Sequence, residues 1–157
     1  PGEEVGTAEG DLIGLYLSEP IARKTPFLET LDRIHGQGGL SYLPHMYDST
    51  RHGVSRKELA EKVDIIEVFN PRCVFGWQNE KALAFAKEHG KARGAGGDSH
   101  FVMEIGDAYV DAPEGDVSEP KGLLKALAKG KVVGKKPKVS LRGATTAVSL
   151  AKRILKF

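Results

Sequence analysis

An aspartate and a histidine two positions apart close a glycine-rich run, Asp98 and His100 in GAGGDSHFVMEIG, residues 94 to 106. In an extended segment, residues i and i+2 point to the same side, so this carboxylate and this imidazole can converge on one point. Glycines at 94, 96 and 97 keep bulk away from that point. Carboxylate and neutral imidazole are both good ligands for Mn, Fe or Zn. The alternative is a turn, with Asp98 bonding to nearby backbone N–H groups and His100 half exposed. The short motif leaves both readings open.

The elements that position this pair alternate short apolar runs with helical patterns, the signature of βα units. DLIGLYL (11–17) reads as a strand, and Thr25-Pro26 starts a helix that the glycines at 36, 38 and 39 stop. LSYLP (40–44) is the next strand, followed by SRKE, a capping box with Ser55 at the N-cap, Glu58 at N3 and Val54 able to staple onto Leu59. DIIEVF (64–69) has the near-continuous apolar character of a strand covered on both faces, as in parallel sheets. A helix over 79–90 closes on Gly90, and a strand ends at Gly97. After these come AYVDA and a helix over 119–130. GKVVGKKPKVSLRG (130–143) reads as a connection, and an amphipathic helix near 143–156 carries Ala147, Leu150, Ala151 and Ile154 on one stripe. The expected organisation is an α/β domain over 1–130, with 131–157 as a basic connection and a terminal helix packed on it.

In parallel βα proteins, chemistry gathers at the carboxyl ends of strands. Three consecutive strand ends here deliver His45, then Asn70 with Arg72, then Asp98 with His100. Glu67 lies inside an apolar strand, where a carboxylate is costly unless it is paired or bound to a metal. Arg51 and Arg72 offer forked donors suited to phosphate, or are ordinary surface arginines.

Composition bounds the rest. The chain has 157 residues, 40% hydrophobic and 28% charged, the balance of one soluble globular domain. It has no apolar run near the ~20 residues that span a bilayer and no signal peptide, so a cytoplasmic setting with no membrane partner is expected. The single cysteine, Cys73, excludes an internal disulfide framework. The net charge of +2 is unevenly spread: eleven basic residues and no acid follow position 120, leaving a net −9 before it. An acidic first part suits cations, and a basic end suits phosphate, nucleic acid or an acidic partner, or is a solvated helix face.

Taken in order, PGEEV, GDLIGLYL, GGLSYLPHMYDSTR, DIIEVFNPR, GAGGDSH and EIGDAYV resemble the polymerase and histidinol phosphatase (PHP) family of metal-dependent phosphoesterases over about residues 1 to 112. The resemblance implies a distorted (β/α)7 barrel whose strand ends hold two or three divalent metals, Mn, Fe or Zn. On its motifs, Glu4, His45, Asp98 and His100 would be metal ligands and Asp11 a less closely matched one. Glu67 and Asn70 would support the ligands, and Arg51 or Arg72 would hold phosphate. The activity implied is phosphoester hydrolysis by metal-activated water, on a phosphorylated small molecule or a nucleic-acid end.

The family's opening H-x-H and its later D-H pair have no counterpart here. The resemblance therefore implies the C-terminal part of a barrel lacking its N-terminal βα units, with the missing segment needed for activity. An open half barrel would expose sheet edge and core, so self-association or a complementing chain is expected. The alternative is a non-catalytic module that binds metal, or that binds nucleic acid or a partner through the basic end.

Overall fold

The computed structural model describes residues 1–73 and 75–135. The terminal helix expected near 143–156 lies outside the described residues. The chain runs β1 (Gly2–Gly6), β2 (Asp11–Leu15), α1 (Phe27–Gly36), β3 (Leu40–Leu43), α2 (Lys57–Ala60), β4 (Ile65–Phe69), α3 (Gly76–Glu88), β5 (Ala92–Ala95), β6 (Ala108–Asp111), α4 (Pro120–Lys129) and β7 (Lys131–Gly134). Single 3-10 turns cover Ser49–Arg51 and Val102–Glu104.

Five strands form a mixed sheet in the order β1-β2-β3-β4-β5, and β6 pairs with β7 in a separate antiparallel ribbon. Only β3, β4 and β5 are parallel neighbours; β1 pairs antiparallel with β2, and β2 with β3. The fold is α/β as expected, but the first two strands depart from the βα units anticipated. GEEVG, not anticipated as a strand, forms a hairpin with DLIGL across a short link, too short for a parallel crossover, which needs about a dozen residues or more.

Strand alternation divides the sheet into two faces. Val5, Leu12, Leu43, Ile66 and Val68 pack in one cluster with Phe27, Leu31 and Ile34 of α1 and with Ala82, Phe85 and Ala86 of α3. Phe27 and Ile34 are fully buried there, each stabilising the fold by about 1.5–3 kcal/mol before entropy is counted. On the other face, Leu40 and Ile65 pack with Leu127 of α4, joined by Leu15, Tyr42, Ala92, Val110 and Leu123. Ile65 and Ile66 thus bury opposite faces, which is why the strand reads as a continuous apolar run.

The helix starts differ from local expectation in two places. The start expected at Thr25-Pro26 falls one residue later, with Pro26 as the N-cap of α1, and the acceptor comes from Glu9, whose Oε2 accepts the Phe27 N–H at 2.8 Å. The Ser55–Glu58 capping box does not form: α2 is a single turn capped at Arg56 without a side-chain hydrogen bond. The Arg56 carbonyl oxygen accepts the Leu59 and Ala60 N–H groups, so the turn closes on backbone bonds alone. Gly38, at φ 74°, supplies the left-handed turn after α1. Residues 131–134, expected to be connection, form β7 instead, because Val132 and Val133 pair with Val110 and Tyr109.

Candidate metal centre

The hairpin fixes the first part of the site. Because β2 runs opposite to β3, its first residue, Asp11, lies level with the carboxyl end of β3, where His45 follows. Glu4 pairs with Ile13 on β1, two residues along from Asp11 and so on the same side of the hairpin. Ligand-type atoms of Glu4, Asp11 and His45 all lie within 4.8 Å of one another. His45 Nε2 stands 3.3 Å from Glu4 Oε1 and 3.9 Å from Asp11 Oδ2.

His45 is held from behind. It sits at φ 31°, and its backbone N–H donates to Glu67 Oε2 at 2.6 Å. Glu67, only 4% exposed, also accepts from Asn70 Nδ2 at 3.0 Å and from the Tyr42 hydroxyl at 3.2 Å. Burial pushes the Glu67 carboxyl up in spite of these donors. The buried carboxylate is thus satisfied by three donors and orients His45 through its backbone. The glycines of GAGG have their reason here: a Cβ on Gly94 would strike the Tyr42 ring, and one on Gly96 would strike Glu67 Oε1. They clear space for Tyr42 and Glu67 rather than for the Asp98–His100 pair.

The electrostatics of the three-residue cluster are incomplete. The His45 hydrogen bond draws the Glu4 carboxyl below its ordinary value, whereas burial and then the Glu4 charge raise Asp11. Burial pulls His45 down, but its bond to Glu4 and the nearby carboxylates outweigh that and leave it raised. Its Nδ1 is buried with no hydrogen-bond partner. Two carboxylates against the Nε2 edge of one imidazole fit a divalent cation, and the mixed N/O donor set suits Mn, Fe or Zn.

The Asp98–His100 pair is placed differently from the extended geometry anticipated. Asp98 adopts φ 46°, in the left-handed region, so the segment is not extended, yet His100 Nδ1 still lies 3.6 Å from Asp98 Oδ1. Its carboxylate pairs with Arg51 Nη1 and lies 4.0 Å from Arg72 Nε. It lines the same cavity of about 280 Å³ as Glu4, His45, Glu67 and Asn70, without joining the cluster of three. His100 is 59% exposed, with Nδ1 2.9 Å from the Asp98 carbonyl oxygen. Arg51 also binds Asp48, and Arg72 binds Glu104. Asn70 accepts the Arg72 N–H on Oδ1 and so shapes that loop.

Sequence reasoning passed over Asp48, Glu104 and Tyr42. Asp48 carried a signal: in DSTR its carboxylate accepts the Thr50 N–H, a local turn pattern. Glu104 is an acid inside the apolar FVMEIG that is 6% exposed, a placement that demands partners. Tyr42 had none, since an aromatic residue in a strand is ordinary.

Comparison with known proteins gives these residues a setting. Residues 76–132, from α3 to β7, match the model of the PHP-associated family. That match supports a PHP-family C-terminal portion within this segment. Glu4, Asp11 and His45 precede the matched segment, and Asp98 and Glu104 fall inside this PHP portion. An uncharacterised protein of Methanocaldococcus jannaschii is 38% identical over 130 residues, covering 78% of this chain and 55% of that protein. A second uncharacterised protein of the same organism is 38% identical over 82 residues, 52% of this chain and 48% of its own length. The chain therefore spans about half the length of the curated relatives it matches. The crystal structure of PsfC from Pseudomonas syringae shares the fold, with a TM-score of 0.62 at 11% identity over 99% of this chain and 66% of that one. No helix among the described residues is long and apolar enough to cross a membrane.

Proposed function

We propose that this chain is the metal-holding part of a PHP-type phosphoesterase, and that its substrate is a phosphorylated small molecule or a nucleic-acid end. The observation that carries the reading is the meeting of Glu4, Asp11 and His45 beside the cavity, where two carboxylates face the Nε2 edge of one imidazole and leave a charge excess that a cation would resolve. The PHP family match is consistent with it.

In this reading Glu4, Asp11 and His45 hold a divalent ion, with Asp98 and His100 as further donors where the rest of the family site is present. Such an ion, when bound, acidifies water and polarises a phosphoryl oxygen. The residues of this chain do the remaining work. Glu67 and Asn70 fix the backbone that presents His45, and Arg51 and Arg72 offer guanidinium forks to phosphoryl oxygens at the cavity mouth. A complementing segment or second copy would supply the donors that the H-x-H and D-H motifs provide in the family.

The test is calorimetric titration of Mn²⁺ and Zn²⁺ into chelator-treated protein, beside the Glu4→Gln and His45→Ala variants. Stoichiometric binding that either substitution weakens by about tenfold or more is expected, since even supporting residues of metal sites cost that much. Equal binding by wild type and variants, or none by wild type, would sink the proposal.

A further inference from the structure

A second cavity, of about 390 Å³, lies between the sheet, β6 and α4, and shares Leu15, Tyr42 and Ala95 with the cavity beside the metal corner. The two adjoin along those three residues. Its room comes from small residues: Gly94, Ala95, Ala108, Ala112 and Ala126 leave open what larger side chains would fill. Among the described residues, no charged side chain lines it. The Tyr42 hydroxyl donates to Glu67 at 3.2 Å, so its one O–H is spent toward the metal corner and the ring is what remains for the second cavity. Leu123 and Leu127 of α4 line the side opposite the sheet. The Tyr16 hydroxyl donates to the Val117 carbonyl oxygen at 2.6 Å and ties the segment after β6 in place. Val117 and Tyr109, about half exposed, mark the solvent side.

We infer that this second cavity seats the alcohol part of the phosphoester, and that this part is a neutral apolar or aromatic group. A phosphoester has two ends with opposite needs: the phosphoryl group needs cations, and the alcohol part takes the surface that lies next to them. Here that surface is apolar, and its volume falls within the about 300–1,000 Å³ of small-molecule sites. Packed interiors keep few voids larger than a water molecule, and an apolar cavity stays dry until an apolar guest fills it. A nucleoside or sugar would carry hydroxyl and amide groups into a space whose only polar side chains are tyrosines, and burying such groups unpaired is unfavourable. Of a phosphorylated small molecule and a nucleic-acid end, the lining therefore favours the first. The inference rests on the proposed function in taking the ligand to be a phosphoester; the apolar guest follows from the lining alone.

Naphthol and naphthylmethylphosphonate are the probes, titrated calorimetrically, with dihydroxypropylphosphonate as the polar counterpart; the C–P bond keeps both phosphonates from being hydrolysed. Metal-free wild type should bind naphthol. With Mn²⁺ present it should bind the naphthyl phosphonate about tenfold or more tighter than the polar one, the gain expected from burying one aromatic ring. Ala126→Phe fills the cavity and Val117→Glu puts a charge on its wall. Each should weaken naphthol by about tenfold or more while leaving Mn²⁺ binding unchanged. Val117→Glu sits on the half-exposed side and carries the test if Ala126→Phe does not fold in thermal melts. Absence of naphthol heat in wild type, or a Val117→Glu variant that binds naphthol as wild type does, overturns the inference. So does equal affinity for the two phosphonates in a wild type that binds Mn²⁺. The phosphoesterase reading fails on a separate signal, absence of Mn²⁺ heat in wild type, which naphthol binding does not need.

Discussion

Two polar clusters flank the same strands, and they use the same kinds of residue to opposite effect. At the amino end of β4, Asp64 Oδ2 accepts the Ser41 N–H at 2.8 Å and the Ser41 hydroxyl at 2.7 Å, and lies 2.9 Å from His35 Nε2. The Asp64 N–H returns a bond to Ser41 Oγ at 2.9 Å. Serine, histidine and aspartate meet there, yet the hydroxyl is buried and spends its proton on the carboxylate, so no nucleophile results. At the other end, Asp11 has His45 at 3.9 Å as its ion-pair partner, and His45 Nδ1 has no hydrogen bond. The first cluster closes its own accounts and fastens α1 to the sheet. The second leaves negative charge and a polar atom unsatisfied, which native proteins retain where something else completes the site.

The largest effect expected from breaking this contrast is at Glu67. Glu67→Ala leaves the His45 amide, the Asn70 amide and the Tyr42 hydroxyl without their acceptor, and should lower unfolding free energy by about 3 kcal/mol or more in urea titrations. Gly96→Ala attacks the same support from the other side: its Cβ overlaps Glu67 Oε1, and overpacking of this kind costs about 1–3 kcal/mol. A Gly96→Ala variant as stable as wild type would show that Glu67 can shift, and would detach the glycine from the site.

Asp11→Asn sharpens the comparison because it separates stability from binding. Burial and the Glu4 charge both disfavour an ionised Asp11, so the metal-free variant should melt no lower than wild type. Its Mn²⁺ affinity should nevertheless fall by about tenfold or more. A lower melting point with unchanged affinity would place Asp11 among the structural acids, with Asp64.

The smallest effect belongs to Asp64 itself. Burial raises its carboxyl, but the Ser41 amide and hydroxyl and the His35 ring outweigh it and hold the pKa below the ordinary 3.8. A depressed carboxyl contributes stability that is present above the unfolded-state value and lost as pH falls through the folded one. Asp64→Asn should therefore flatten the stability profile below about pH 3.8, while leaving Mn²⁺ binding unchanged. Unchanged acid sensitivity in the variant would mean that other carboxylates govern that limb.

Much of this was legible locally. The apolar run at 64–69 and the helical period after Pro26 became β4 and α1 because each signal is written in neighbouring residues. His45, Glu67 and Asn70 were recognisable because a strand end and a buried acid are positions where polar side chains need a purpose. GEEVG was not legible as a strand: with two acids in five residues, it pairs because DLIGL folds back on it. Asp11, the less closely matched ligand, entered the cluster for the same reason, since an antiparallel partner brings the start of a strand to the level where parallel strands end.

Amino-acid order alone determined the alternation of strands and helices, the excess of acid before position 120, and the residue types able to bind a cation. Tertiary structure decided which of them meet. Asp98 turned toward Arg51, Glu104 came to tie the loop to Arg72, and Glu4, Asp11 and His45 converged from separate parts of the chain. Secondary structure follows from interactions within a few residues, whereas a charge finds its partner only after the backbone has fixed distances between segments far apart in sequence.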